Sequence, residues 1–232
     1  MKRSKEFKAL KLIISGTLYV LYFYYLAIFI SKSTIDHKIF YAIVGICIGI
    51  CGLYYEIIKL MFHESIEYIT EKDDPQTGIE KLTKLSKYDF FRDYSYYSDM
   101  YALVALSDMG EYDEIKRLAK RTLKGDKKNA MNDAISELGY MIVYGRDGEA
   151  KKSHDAYKKF KLLYESNIKD FKKLDGIFMR CFQYYEALDS YYQGKCRNAI
   201  ELLDTIETKK LSKREIANIE SLRSLCTEAN NK

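Results

Sequence analysis

Two long uncharged runs near the N-terminus constrain this 232-residue chain more than any other feature. The first run covers 12–30. The second is uncharged over 39–55 and continues as an amphipathic segment to 61, where Glu56 and Lys59 are its charged residues. A helix of about 20 apolar residues spans the roughly 30 Å hydrocarbon core of a bilayer. The sequence therefore predicts two transmembrane helices, 12–30 and 39–61, the second including its exit from the membrane.

The segment between these runs, 31–38, is so short that the two helices must turn back on each other as a hairpin. Five Lys and Arg residues precede the first run, whereas the 31–38 loop holds two, and basic residues favour the cytoplasmic side. This predicts a multi-pass protein of the cell (inner) membrane, with a basic N-terminus 1–11 and the C-terminal part both cytoplasmic. A cleaved secretory signal is the competing interpretation, which the length of the first run and the second span disfavour.

Small residues recur along one side of the second run, at spacings of three, four and three. Such a stripe lets helix backbones approach closely in lipid, where van der Waals packing drives association. Two interpretations stay open, packing within the hairpin and self-association into a homo-oligomer. The residues of the stripe are Ala42, Gly45, Gly49 and Gly52.

The remainder of the chain is charged and shows the periodicity of amphipathic helices. A single proline and twelve glycines leave few of the turn residues that many short strands require. A connecting helix, 62–75, leaves the membrane and stops before Pro75, since proline disfavours helical geometry in the preceding residue. The fold class is therefore all-α, and apolar residues at i, i+3, i+4 and i+7 predict eight further helices within 76–232. Their ranges are 78–87, 94–109, 111–124, 130–144, 148–164, 174–193, 196–206 and 212–229.

Two segments of this part, 100–123 and 184–206, share one layout. Each has an apolar helix, a turn at Gly110 or Gly194, and a second helix with apolar residues five and nine positions after that glycine. This layout resembles the tetratricopeptide repeat, in which a short turn joins helix A to helix B. The resemblance implies a tetratricopeptide-like α-solenoid over 76–232, with a period of 42 if the 84 residues between the glycines hold two units. A weaker copy has Leu138 and Gly139 in its helix A and its turn at 147–150, and unrelated helical hairpins are the alternative.

The resemblance also implies a partner-binding groove lined by helix A, and tyrosine recurs at its positions. Tyrosine supplies a large contact area with few rotatable bonds and tolerates partly wet surroundings. The same residues could equally form the core between stacked hairpins. The predicted groove residues are Tyr97, Met100, Tyr140, Tyr144, Tyr184, Leu188, Tyr191 and Tyr192, with Val104 and Val143 beside them.

Little in the sequence points to chemistry. The three histidines are far apart along the chain, no cysteine pair has metal-ligand spacing, and no phosphate-binding glycine motif follows a strand. We therefore predict no enzyme activity, no cofactor, no metal site and five reduced thiols. A net charge of +5 from 38 basic and 33 acidic residues, with no basic stripe, excludes nucleic acid as the expected partner.

The sequence leads to two functional hypotheses. The first is a membrane-anchored helical-repeat adaptor or scaffold, held by the lipid bilayer, that recruits a protein or peptide at the cytoplasmic membrane surface. The second is an accessory or immunity-type subunit of a membrane transporter or secretion complex, with the stripe of small residues as its main contact.

Overall fold

The chain folds into α-helices, as predicted. The structure is a computed structural model that describes residues 2–91, 94–123, 130–168, 177–208, 211 and 213–230, with side chains from residue 14 onward except at 35, 36, 96 and 177–181. Within these ranges there are ten α-helices and no strand. The chain divides into two compact units, Met1–Leu60 and Met61–Lys232, which are described separately.

The first unit contains the two apolar helices. Helix α1 covers Lys2–Lys32 and α2 covers Ile35–Thr70, and both contain a stretch long and apolar enough to cross a membrane. An α-helix suits this environment because it satisfies every backbone polar group within the segment. The turn between them is only Ser33 and Thr34, so most of the predicted 31–38 loop is helical.

The stripe of small residues in α2 packs against α1 of the same chain. A methyl group added to Gly45 would overlap the side chain of Leu26, and one added to Gly49 would come within 2.6 Å of the Phe23 ring. The hydroxyl of Tyr22 also donates to the Gly45 carbonyl at 2.8 Å. Packing within the hairpin, the first of the two interpretations, therefore accounts for these glycines. Gly52 meets Tyr19 in the same way, and Ala42 is half-buried on the same side.

Helix α2 continues past Met61 to Thr70, so the predicted connecting helix 62–75 is the end of α2 followed by a turn. Pro75 is the first residue of the next helix, a position where its missing N–H costs nothing. Asp74 caps that helix, since its Oδ1 accepts the N–H of Thr77 at 3.1 Å. Hydrogen bonding to the carboxylate also holds the pKa of Asp74 below its usual value.

The eight helices predicted for the second unit are all present. They are α3 Pro75–Tyr88, α4 Ser95–Met109, α5 Tyr112–Leu123, α6 Ala130–Arg146, α7 Ala150–Ser166, α8 Ile177–Tyr192, α9 Cys196–Asp204 and α10 Lys213–Asn230. Predicted ends at 124, 174–176 and 212 lie outside the described residues. Each helix from α3 to α10 packs on its neighbour in sequence, and α4, α6, α8 and α10 also pack on one another in that order.

Four of the connecting turns share one backbone conformation. Asp73, Gly110, Gly148 and Gly194 have φ angles of 55°, 72°, 77° and 73°, in the left-handed region that ends helices. Each glycine N–H bonds the carbonyl three residues back, and the following N–H reaches the carbonyl five residues back, which is a Schellman motif. These second bonds are Glu111 to Leu106 at 3.0 Å, Glu149 to Tyr144 at 2.9 Å and Lys195 to Ser190 at 2.9 Å.

The segment after each of these turns buries the same positions, because each following helix begins two residues after the turn residue; in the last case the third position, Ile206, lies just past the end of α9. Residues five, nine and twelve positions after the turn residue are buried in all four cases. They are Gly78, Leu82 and Leu85; Ile115, Ala119 and Thr122; Ser153, Tyr157 and Phe160; and Ala199, Leu203 and Ile206.

The spacing of the four turn residues changes the predicted period. They are 37, 38 and 46 residues apart, whereas the sequence prediction was two units of 42. The third copy turns at Gly148, within the predicted turn 147–150, and Gly139 lies inside α6, as predicted, packed against Ala119. The longest interval, from Gly148 to Gly194, contains α7 and α8, and the intervals of 38 and 46 residues together give the average of 42.

The described cysteines are free thiols, as predicted for Cys47, Cys51, Cys196 and Cys226. Burial, with Cys196 beside it, raises the pKa of Cys226 to about 11, so this thiol is protonated at neutral pH. Protonated buried thiols are unreactive and behave as small apolar side chains. The side chain of Cys181 lies outside the described set.

Candidate partner-binding face

The α6 helix carries the most open group of predicted groove residues. Tyr140 and Tyr144 are half-buried and stack with ring centroids 5.7 Å apart and planes 16° apart. The Lys152 ammonium of α7 lies 5.6 Å from the Tyr144 ring. One turn before Tyr140, Glu137 pairs with Lys159 of α7 at 3.5 Å. We call Glu137, Tyr140 and Tyr144 the α6 face.

The electrostatics of the α6 face reflect its partial burial. Burial raises the pKa of Glu137, with the ammonium of Lys159 acting in the opposite sense. Burial and the neighbouring Tyr144 also raise the pKa of Tyr140, so its hydroxyl stays protonated and can donate a hydrogen bond. This face therefore presents two flat rings with polar edges beside one compensated carboxylate, a surface suited to a protein segment.

Met100 and Leu188 are buried in the hydrophobic core, not in a groove. Only 3% of Met100 and 8% of Leu188 is exposed, and Val143 beside the α6 face is buried as well. On the same helix, α4, Leu103 is also buried, whereas Tyr97 and Val104 are half-buried. For these positions the alternative interpretation, core packing between helices, describes the structure.

Tyr97 belongs to a ring cluster that includes the first aromatic residue of the second unit. The Phe62 ring lies 6.3 Å from Tyr97, 4.9 Å from Tyr94 and 5.9 Å from Tyr101. Phe62 is only 8% exposed. The cluster thus joins the end of α2 to α4, and Tyr97 acts mainly in that packing.

Tyr191 and Tyr192 lie at the end of α8, next to the end of α6. The Tyr192 ring fills the space beside Gly145 so closely that a methyl group there would overlap it. Burial raises the pKa of Tyr192, with Tyr112 and Tyr191 adding to the shift. Tyr192 is therefore a packing residue, whereas Tyr191 is half-buried at the margin of the core.

Tyr184 lies where α8 meets α10, and here α10 closes the predicted groove. Together with Val104 and Asp108 of α4 and Ile219 of α10, it lines a cavity of about 30 Å³. That volume holds about one water molecule, far below the several hundred Å³ of an ordinary small-molecule site. The contact between α4 and α10 lies beside this cavity, which α8 also lines.

Asp108 and Asn218 join α4 to α10, although they are 110 residues apart in sequence. The amide of Asn218 donates to Oδ1 of Asp108. Burial raises the pKa of Asp108 to about 6, and this outweighs the opposing effects of Asn218 and Arg214. Arg214 also bonds Asp73 at 3.0 Å, so α10 is fastened to the α2–α3 turn as well. The sequence analysis missed these residues because no periodic signal marks them.

A second polar network links α7 to α8. Asp189 is 3% exposed, and its Oδ2 lies 3.0 Å from Nδ1 of His154 and 2.7 Å from Nε2 of Gln193. Burial raises the pKa of Asp189, with His154 and Gln193 opposing it. Because the carboxylate is satisfied by these two partners, the network has the form of a structural link. In the part of the chain that the structure describes, no cluster of His, Cys, Asp and Glu could hold a metal ion.

Comparison with known proteins adds no relative, since no family model, curated protein or solved structure matches this chain. The functional argument therefore depends on the chain's own residues.

The buried carboxyl of Asp108 predicts a pH dependence. Its pKa is raised in the folded state, so between about pH 4 and 6 the folded state binds more protons and stability falls as pH rises. Asp108→Asn keeps an acceptor for Asn218 and cannot ionise. We expect it to match wild type near pH 4 and to exceed it by about 1–2 kcal/mol at pH 7.

Urea unfolding of both proteins across this pH range measures the difference. Asp113→Asn, at an exposed position of α5, is the matched control and should follow the wild-type profile. Parallel curves for Asp108→Asn and wild type would remove Asp108 from the closure between α4 and α10.

Proposed function

We propose that this protein is a membrane-anchored helical-repeat adaptor that recruits a protein or peptide at the cytoplasmic membrane surface. The observation that carries the proposal is the fourfold recurrence of one left-handed turn with the same buried positions after it, in a unit that follows two apolar helices. A repeated hairpin of this kind builds an extended surface and no deep pocket, which suits protein recognition.

The repeat is tetratricopeptide-like in this proposal, and the helix pairs are α2–α3, α4–α5, α6–α7 and α8–α9, with α10 as the terminal cap. Packing of α4 on α6, α6 on α8 and α8 on α10 supports stacked hairpins whose first helices share one side. The α6 face then lies on that side, and the α10 contacts at Asp108 and Asn218 limit the binding surface to its neighbourhood.

The partner in this proposal presents an extended or helical segment with apolar side chains. Stacked tyrosines favour such a segment, because they offer a large contact area that is already ordered, while their hydroxyls satisfy exposed backbone groups. The cavity beside Asp108 is too small for a metabolite, and His154 and Asp189 are engaged in a structural link. The adaptor proposal includes no reaction and no cofactor.

The accessory or immunity-type subunit is the less favoured alternative. In that hypothesis the glycine stripe is the main contact with a membrane partner or a second copy. Leu26, Phe23 and Tyr19 of α1 already occupy the space beside the stripe. A partner would have to displace α1, and this observation favours the adaptor.

The cytoplasmic orientation predicts which positions an external reagent reaches. A cysteine introduced at exposed Thr34, in the turn between α1 and α2, should react with an impermeant maleimide in sealed cells, whereas one at exposed Ser221 in α10 should react only after lysis. Native Cys196 and Cys226 are too buried to report on topology. Labelling of Ser221→Cys in sealed cells would reverse the orientation.

Truncation of tyrosines tests the binding face. Tyr144→Ala and Tyr191→Ala should each change the free energy of unfolding by only about 0.5–1 kcal/mol, because their rings are half-buried, yet weaken partner capture by about 2 kcal/mol. Phe160→Ala, at a fully buried position of α7, should cost about 3–5 kcal/mol.

Partner capture is measured by a photo-crosslinking residue at Tyr140 in native membranes, with the same residue at exposed Leu162 as control. The adaptor hypothesis requires a species crosslinked from position 140, absent from position 162, and reduced by Tyr144→Ala. Equal crosslinking from both positions, or large destabilisation by Tyr144→Ala, would contradict it.

A further inference from the structure

Three exposed aromatic side chains lie close together in sequence, one at the last residue of α3 and two in the loop that follows it. Tyr88 is 56% exposed, Phe90 79% and Phe91 68%. Other large apolar side chains exposed in the described part of the second unit are single residues far apart in sequence, namely Leu123, Leu162 and Leu225. A cluster of this kind marks a contact surface, because soluble surfaces rarely hold several exposed aromatic rings together.

This loop lies at the end of the second unit where the chain arrives from the candidate span. The α3 helix runs antiparallel to the end of α2, since Lys81 pairs with Glu64 at 2.9 Å and Gly78 lies against Ile69. From Lys81, α3 continues seven residues to Tyr88, about 10 Å further toward the Met61 end.

The residue at the other end of the loop, Tyr94, also lies near the Met61 end of the second unit. The Tyr94 ring lies 4.9 Å from Phe62, the second residue of the unit. Asp89 is 5% exposed, its Oδ2 accepts the N–H of Tyr94 at 2.9 Å, and its own N–H bonds the carbonyl of Leu85 at 3.0 Å. The backbone around Phe90 is therefore held by buried contacts while its ring faces outward.

The chemistry around the loop fits a lipid headgroup layer. Lys84 and Lys87 are exposed on the last two turns of α3, next to the aromatic rings. Aromatic residues are enriched at the membrane interface, and lysine is attracted to anionic lipid while its stem covers apolar surface. Segments that combine the two lie in the interface, with apolar side chains at the acyl boundary.

We infer that the Tyr88–Phe91 loop inserts its phenylalanine rings into the interface of the bilayer that α1 and α2 span. This inference rests on the membrane anchoring in the proposed function and adds a second attachment to it. With two points of contact, the second unit is held in one orientation on the membrane, and its α6 face is presented in a fixed direction.

The absence of tryptophan from the chain gives a direct test. Full-length Phe90→Trp is reconstituted in vesicles of phosphatidylcholine and phosphatidylglycerol, with or without bromine on the acyl chains. At the roughly 5–10 Å depth of an interfacial segment, brominated lipid should lower the tryptophan emission roughly twofold, and acrylamide should have little effect. Phe91→Trp repeats the measurement at a second site.

Two matched variants separate the possible outcomes. Leu162→Trp, 63% exposed on α7, should be quenched by acrylamide and not by brominated lipid, and Ile48→Trp, in the span of α2, should be quenched by brominated lipid. Phe90→Trp behaving like Leu162→Trp while Ile48→Trp is quenched would overturn the loop insertion alone. Phe90→Trp protected from both quenchers would overturn it in favour of a second copy. An unquenched Ile48→Trp would overturn the membrane anchoring itself.

Discussion

The second unit depends on one backbone constraint, a left-handed residue at four of its turns that reverses one helix onto the next. Asp73, Gly110, Gly148 and Gly194 each end one helix and set the register of the following one. Because the turn has the same hydrogen bonds in the three glycine cases, the next helix starts at the same rotation, and the residues five and nine positions after the glycine are buried within it. The packing of neighbouring helices follows from that register.

Hydrophobic periodicity in the sequence was sufficient for the helices and their approximate ends. It was not sufficient for the period of the repeat, because the intervals between the turn residues are unequal, at 37, 38 and 46 residues. The resemblance to the tetratricopeptide repeat implied a groove that included Met100 and Leu188, whereas both are core residues, which was the alternative left open. A one-residue step on a helix rotates a side chain by about 100°, so small errors of register exchange core and surface.

The closure by α10 could not be predicted from the sequence. It depends on a hydrogen bond between Asp108 and Asn218, which are single polar residues on amphipathic helices that resemble many others. Such long-range polar pairs leave no local pattern. Where α4, α8 and α10 meet there is a small cavity in place of the expected groove, whereas the stacked rings of Tyr140 and Tyr144 are half-buried on α6.

The shared turn is tested most directly by Gly110→Ala, Gly148→Ala and Gly194→Ala in the full-length protein. A methyl group at Gly148 or Gly194 meets nothing within 4 Å, and one at Gly110 meets Tyr112 at an ordinary 3.5 Å, so only backbone strain changes. Each variant should lose about 1–2 kcal/mol of unfolding free energy in urea, by similar amounts. Unchanged or increased stability at any of the three would contradict a left-handed turn there, and with it the common register of the hairpins.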